Sequence, residues 1–124
     1  MNVVDSSGWI EWFNGGPNAP AFRVPILDLA RLLVPSIVVL EVYRRALQSV
    51  SAARATELVT VLSVGRIVPL DRELALAAGE TGVRLKLAMA DSIVYATAQK
   101  FGATVWTQDA DFDGLPNVRY FPKQ

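Results

Sequence analysis

Apolar and polar positions fall along this chain in two alternating registers: short apolar runs of strand length, and longer stretches whose apolar residues recur at helical spacing. Asn2 to Val4 is the first short run; it ends at Asp5 and reads as a buried strand. Ser6 and Ser7 offer N-cap oxygens for a helix through Gly8–Asn14, and Gly15, Gly16, Pro17 and Pro20 mark a loop. Ala21–Leu33 predicts a second helix, with Pro25 in its first turn or breaking it. Pro35 and Ser36 open a third, with Ile37, Leu40, Tyr43 and Leu47 at helical spacing, and Ser51–Leu62 is a fourth, stopped by Gly65. Ile67–Leu70 reads as a second strand leading to Asp71 as N-cap, and Arg72 to about Leu87 as a helix interrupted at Gly79 or Gly82. Asp91 to Lys100 predicts an apolar helix with Asp91 at its start, ended by Phe101–Gly102. Ala103–Thr107 and Val118–Phe121 are the last strands. Short strands separated by helices predict one domain over 1–124, an α/β sandwich around a mostly parallel sheet. No repeat, linker or low-complexity segment interrupts it.

Composition narrows the chemistry more than it narrows the fold. The 124 residues hold no cysteine and no histidine, which excludes disulfides, thiolate chemistry, histidine-ligated zinc and imidazole bases. Any catalysis must come from carboxylates, hydroxyls, lysine or a bound cofactor. With 12 basic and 12 acidic residues the net charge is zero, which neither announces nor excludes a nucleic-acid partner. No apolar run reaches membrane-spanning length, and MNVVD lacks the basic region of a secretory signal, so a cytoplasmic protein without a membrane partner is expected.

The placement of the acids is the informative feature. In open parallel sheets, ligands sit beyond the carboxyl ends of the strands. Asp5 follows NVV there, and Asp109 follows ATVWT. Glu41 lies alone in the run IVVLEV, and Asp91 is the single carboxylate between Glu80 and Asp109. Each acid also has an ordinary role open to it: Asp5 and Asp91 as helix caps, Glu41 in an ion pair with Arg44 or Arg45, Asp109 in a turn. If they converge, four acids repel one another and their pKa values rise; a divalent cation relieves that conflict. An all-carboxylate oxygen site suits Mg²⁺ or Mn²⁺, the ions of phosphoryl chemistry.

DADFDG, residues 109–114, poses a separate question, because alternate aspartates before a glycine imitate the start of a calcium loop. A calcium loop needs a glutamate at its twelfth position, where Tyr120 stands, and a helix before it, where VWT reads as strand. Asp109 is expected to face the candidate site from the strand end, Phe112 to anchor the loop in the core, and Asp113 with Gly114 to make the turn.

Three stretches together carry a family resemblance: VVDSSGWIEWF, SIVVLEVYRRAL and LAMADSIVYATAQKFGATVWTQDADFDGLPNVRYF. Almost end to end, the chain resembles the PIN-domain nucleases, and among them the short VapC-like toxins of toxin–antitoxin pairs. The resemblance implies a PIN-like three-layer sandwich. It implies that Asp5, Glu41, Asp91 and Asp109 form a metal-binding acidic quartet, with Ser6 and Thr107 as supporting hydroxyls and Asp111 as a supporting acid. It further implies Mg²⁺- or Mn²⁺-dependent hydrolysis of RNA phosphodiester bonds, leaving 5′-phosphate and 3′-hydroxyl ends, in a homodimer blocked by a cognate antitoxin protein. LAMAD lacks the proline common before the third acid, and Gln108 replaces the usual Asn, Arg, Ser or Lys; neither change removes a ligand. Arg23, Arg31, Arg44, Arg45, Arg84 and Lys86 are candidate phosphate contacts, and Trp9, Trp12 and Phe13 are expected on a core or dimer face. The alternative is a non-catalytic PIN-fold protein that only binds RNA or a partner. A response-regulator receiver is disfavoured, because no lysine closely follows ATVWT.

Overall fold

The computed structural model describes residues 1–124. Five strands, β1 (Asn2–Val4), β2 (Leu32–Pro35), β3 (Arg66–Val68), β4 (Thr104–Thr107) and β5 (Val118–Tyr120), form one sheet in the order β3-β2-β1-β4-β5. Every pairing is parallel, with Val3 opposite Leu33 on one side and Val105 on the other. Six helices flank it: α1 (Ser6–Asn14), α2 (Ala19–Leu27), α3 (Ser36–Ser49), α4 (Ala52–Leu62), α5 (Arg72–Leu85) and α6 (Met89–Phe101). The expected α/β sandwich is the observed one. Helices α2 and α6 both pack on β1 and β2, so the central strands are apolar throughout: Val3, Val4, Leu33, Val34 and Val105 are fully buried.

Strand order decides where a site can form. From β1 the chain moves outward to β2 and β3, then returns across the sheet to place β4 on the other side of β1. The carboxyl ends of β1 and β4 therefore flank the switch point, the crevice where open α/β sheets bind ligands. Asp5 and Asp109 lie just past these two ends.

The structure departs from the sequence reading in four places. Leu32–Pro35 is a strand, so the helix expected over Ala21–Leu33 ends at Leu27, and a single 3₁₀ turn precedes β2. A strand buried on all four residues carries no alternation to distinguish it from a buried helix. Asp5, and not Ser6 or Ser7, caps α1: its Oδ1 accepts the Gly8 N–H at 3.0 Å. Helix α5 runs through Gly79 and Gly82 without a break. Gly82 has a packing reason, since a Cβ there would sit 3.0 Å from the Ser92 side chain across the α5–α6 contact. Helix α6 starts at Met89, which puts Asp91 in its first turn and not at its cap. Asp71 caps α5 as expected, and Ser51, expected inside the fourth helix, caps α4. Trp9 and Phe112 are fully buried, the core roles expected for them, while Trp12 and Phe13 pack against the core from the side.

Candidate active site

Asp5 is held from three directions. Besides the Gly8 N–H, its Oδ1 accepts the Ser7 hydroxyl at 2.7 Å, and its Oδ2 accepts the Thr107 hydroxyl at 2.6 Å. The residue is only 4% exposed. Burial penalises its charge more than these donors favour it, and the carboxyl is pushed up to about 6, with Asp109 adding a smaller repulsion. Thr107, fully buried at the end of β4, also accepts the Asp109 N–H at 2.9 Å. Asp109 in turn opens a 3₁₀ turn, its Oδ1 accepting the Asp111 N–H at 2.9 Å.

Asp91 enters from the first turn of α6 and Glu41 from the second turn of α3; both are partly buried. Asp91 is pushed up to about 7, first by burial and then by repulsion from Asp109, Asp5, Glu41 and Asp111. Glu41 is raised by burial and by Asp109, with the Ser6 hydroxyl offsetting part of the rise. Asp91 is therefore repelled by all three other acids of the expected quartet, and Asp5 and Glu41 are each repelled by Asp109. The tightest group of acids differs from the quartet: one carboxylate oxygen from each of Asp91, Asp109 and Asp111 lies within 4.8 Å of the others. Asp111, expected to support from behind, stands in the inner trio. Asp113 and Gly114 form the exposed turn, and Tyr95 ties down the following loop by donating its hydroxyl to the Pro116 carbonyl at 2.7 Å.

Nothing in the chain neutralises this group. The two ion pairs of the fold, Arg31–Asp28 and Arg54–Glu57, lie elsewhere, and Glu41 does not pair with Arg44 or Arg45. Partly buried carboxylates that repel one another, with no internal cation, present an all-oxygen donor set that fits a hard divalent ion such as Mg²⁺ or Mn²⁺.

Three supporting residues were not read from the sequence. Ser7, and not Ser6, bonds Asp5, and the Ser7 hydroxyl also accepts the Gln108 N–H at 3.3 Å, joining α1 to the β4 end. The capping geometry was the available signal, because a serine two residues into the helix can reach back to the cap. Asn18 is buried and donates to the Gln108 side chain and the Pro122 carbonyl, both at 3.0 Å, while accepting from Gln124. Gln108 is thus fixed from its backbone and its side chain, immediately before Asp109.

The PIN domain family profile matches residues 3–117 of the chain. Solved structures repeat the fold over nearly its whole length. A toxin–antitoxin complex from Klebsiella pneumoniae superposes with TM-score 0.81 at 24% identity, covering 98% of this chain and 99% of the other. The Mycobacterium tuberculosis toxin VapC20, described as cleaving the sarcin–ricin loop, gives 0.78 at 17% identity, covering 95% and 97%. FitAcB from Neisseria gonorrhoeae gives 0.77 at 23%, covering 98% and 96%. A comparison with curated proteins finds no match.

Proposed function

Because the chain belongs to the PIN domain family, we propose that it is a metal-dependent endoribonuclease and the toxin of a toxin–antitoxin pair. One observation carries the hydrolytic reading: acids from four separate elements, the β1 end, α3, α6 and the β4 end, face one another with no internal counter-cation. In this reading Asp5, Glu41, Asp91 and Asp109 hold Mg²⁺ or Mn²⁺, with Asp111 close enough to share the task. A bound ion would polarise the phosphate and activate water for attack. Thr107 and Ser7 fix Asp5, Ser6 stands beside Glu41, and Gln108 and Asn18 hold the loop that carries Asp109. With no histidine in the chain, cleavage through the RNA's own 2′-hydroxyl has no imidazole to assist it, and direct hydrolysis leaves 5′-phosphate and 3′-hydroxyl ends.

The toxin role rests on solved structures described as a toxin–antitoxin complex and as a cleaving toxin; the same kinship supports a cognate antitoxin, and a homodimer is what the family resemblance implies. No helix is long and apolar enough to cross a membrane. No observation favours the non-catalytic alternative, since every acid the quartet needs is present.

Purified protein incubated with labelled RNA tests the proposal. Cleavage is expected with Mn²⁺ or Mg²⁺, none with EDTA, and products that are substrates for 5′-phosphate-dependent digestion. Metal-independent cleavage, or 2′,3′-cyclic phosphate ends, contradicts it. Induced expression should arrest growth with the wild type and not with Asp5→Ala; arrest by both would remove the toxin role from the site.

A further inference from the structure

A groove of about 330 Å³ runs beside the acid cluster between α3 and the start of α6. Glu41 lies at its edge, so groove and cluster are continuous. Along α3 the same helix face continues with Arg44, Arg45 and Gln48, three, four and seven residues beyond Glu41. At 1.5 Å rise per residue the two arginines leave the helix about 4.5 to 6 Å farther along its axis than Glu41. Both arginines are exposed, and neither takes part in an ion pair. Across the groove stands Met89, 82% exposed.

We propose that this groove is the track for the RNA strand running away from the scissile bond, with Arg44 and Arg45 as the phosphate-positioning residues. The inference rests on the ribonuclease reading given above. A polyanion drawn to a cluster of carboxylates needs cations close by, and these two arginines are the free positive charges on the groove that touches the cluster. Their planar forks suit phosphate oxygens and have no carboxylate to satisfy in the folded chain. The exposed thioether of Met89 gives the opposite wall a polarisable apolar surface on which a base can rest.

Binding and cleavage are measured separately, so that the two readings fail separately. A fluorescein-labelled single-stranded RNA is titrated by anisotropy in EDTA, across a series of salt concentrations. For Arg44→Gln/Arg45→Gln, affinity at low salt should fall about tenfold, and the slope of log K against log salt should flatten by roughly 1.4, about 0.7 for each of two phosphates on a single strand. Arg44→Lys/Arg45→Lys should keep most of the slope. The exposed pair Arg72→Gln/Lys100→Gln, which removes the same charge elsewhere, should change neither quantity. Melting temperatures of all variants should match the wild type. An unchanged affinity and slope in the groove variant, an equal loss in the distant control, no RNA binding by the wild type, or tighter binding of a labelled acidic peptide than of RNA would each overturn the proposal. In the cleavage arm with Mn²⁺, the groove variant should raise KM with kcat nearly unchanged. A wild type that binds RNA through the arginines yet cuts nothing overturns the nuclease reading and leaves the groove standing.

Discussion

The Thr107 hydroxyl donates to Asp5 Oδ2 at 2.6 Å and accepts the Asp109 N–H at 2.9 Å, so one buried side chain joins the acids at the ends of two neighbouring strands. Thr107→Val keeps the shape and removes both bonds, leaving a buried carboxylate oxygen and an amide without partners. We expect a loss of about 1 to 3 kcal/mol in urea denaturation and an Asp5 carboxyl raised further, because the lost bond favours the charged form. Thr107→Ser should restore most of both. Equal stability of the Val and wild-type proteins would show that the bond is not formed in solution.

Protons and metal should compete at this site. Asp5, pushed up to about 6, and Asp91, pushed up to about 7, hold protons in the folded chain that the unfolded chain has released. Between about pH 4 and pH 7 the folded state therefore binds more protons, and stability of the metal-free protein falls as pH rises. For buried Asp5 alone the loss is on the order of 3 kcal/mol. Denaturation in EDTA should give a more stable protein at pH 5 than at pH 8, and Mn²⁺ should stabilise strongly at pH 8 and weakly at pH 5. A stability profile rising from pH 5 to pH 8 in EDTA would contradict the assigned burial and repulsion of these acids.

Asn18 should matter beyond its own neighbourhood. Its side chain binds Gln108, Pro122 and Gln124, and its N–H donates to Glu11 Oε2 at 2.8 Å. Asn18→Ala strips the side-chain bonds at a buried position, at a cost of about 1 to 3 kcal/mol. Because Gln108 adjoins Asp109, kcat should fall more than stability alone requires, with KM little changed. Amide exchange at Gln108 and Asp109 should speed up; unchanged exchange there would limit Asn18 to fastening the tail.

The two glycines of α5 separate propensity from packing. A Cβ on Gly79 meets nothing within 4 Å, so Gly79→Ala should stabilise by about 0.5 to 1 kcal/mol. A Cβ on Gly82 would press on Ser92, so Gly82→Ala should gain less or destabilise. Thermal melts of the two variants shifting in the same direction by the same amount would contradict this.

Those glycines also show where the sequence could and could not be read. Taken as helix breakers, they conceal a continuous α5, because tertiary contact with α6 outweighs their weak helix propensity. Strand β2 was hidden for the opposite reason: Leu32–Pro35 is buried on every residue and merges with the apolar residues before it. Asp5, Glu41, Asp91 and Asp109 were legible because each sits at an element boundary or alone in apolar surroundings, and isolation of a charge is visible in one dimension. The part played by Ser7 and Asn18 was not, since it depends on which way a hydroxyl or amide turns toward residues about 100 positions away along the chain. The closeness of Asp111 to Asp91 was not legible, because the 3₁₀ turn after Asp109 brings its carboxylate there.

In the reading proposed above, the four acids form one metal-dependent hydrolytic site that the fold maintains at a cost. Single-turnover RNA cleavage in Mn²⁺, measured beside metal-free melting temperatures for Asp5→Asn, Glu41→Gln, Asp91→Asn and Asp109→Asn, tests it most directly. Each variant should lose at least about a hundredfold in rate, the size of effect seen when a group stabilising developing charge is removed. Asp91→Asn should melt at or above the wild-type temperature at pH 8, because a repelled carboxylate has been neutralised. Full cleavage by any one of the four variants, or activity lost only in step with stability, would contradict the claim.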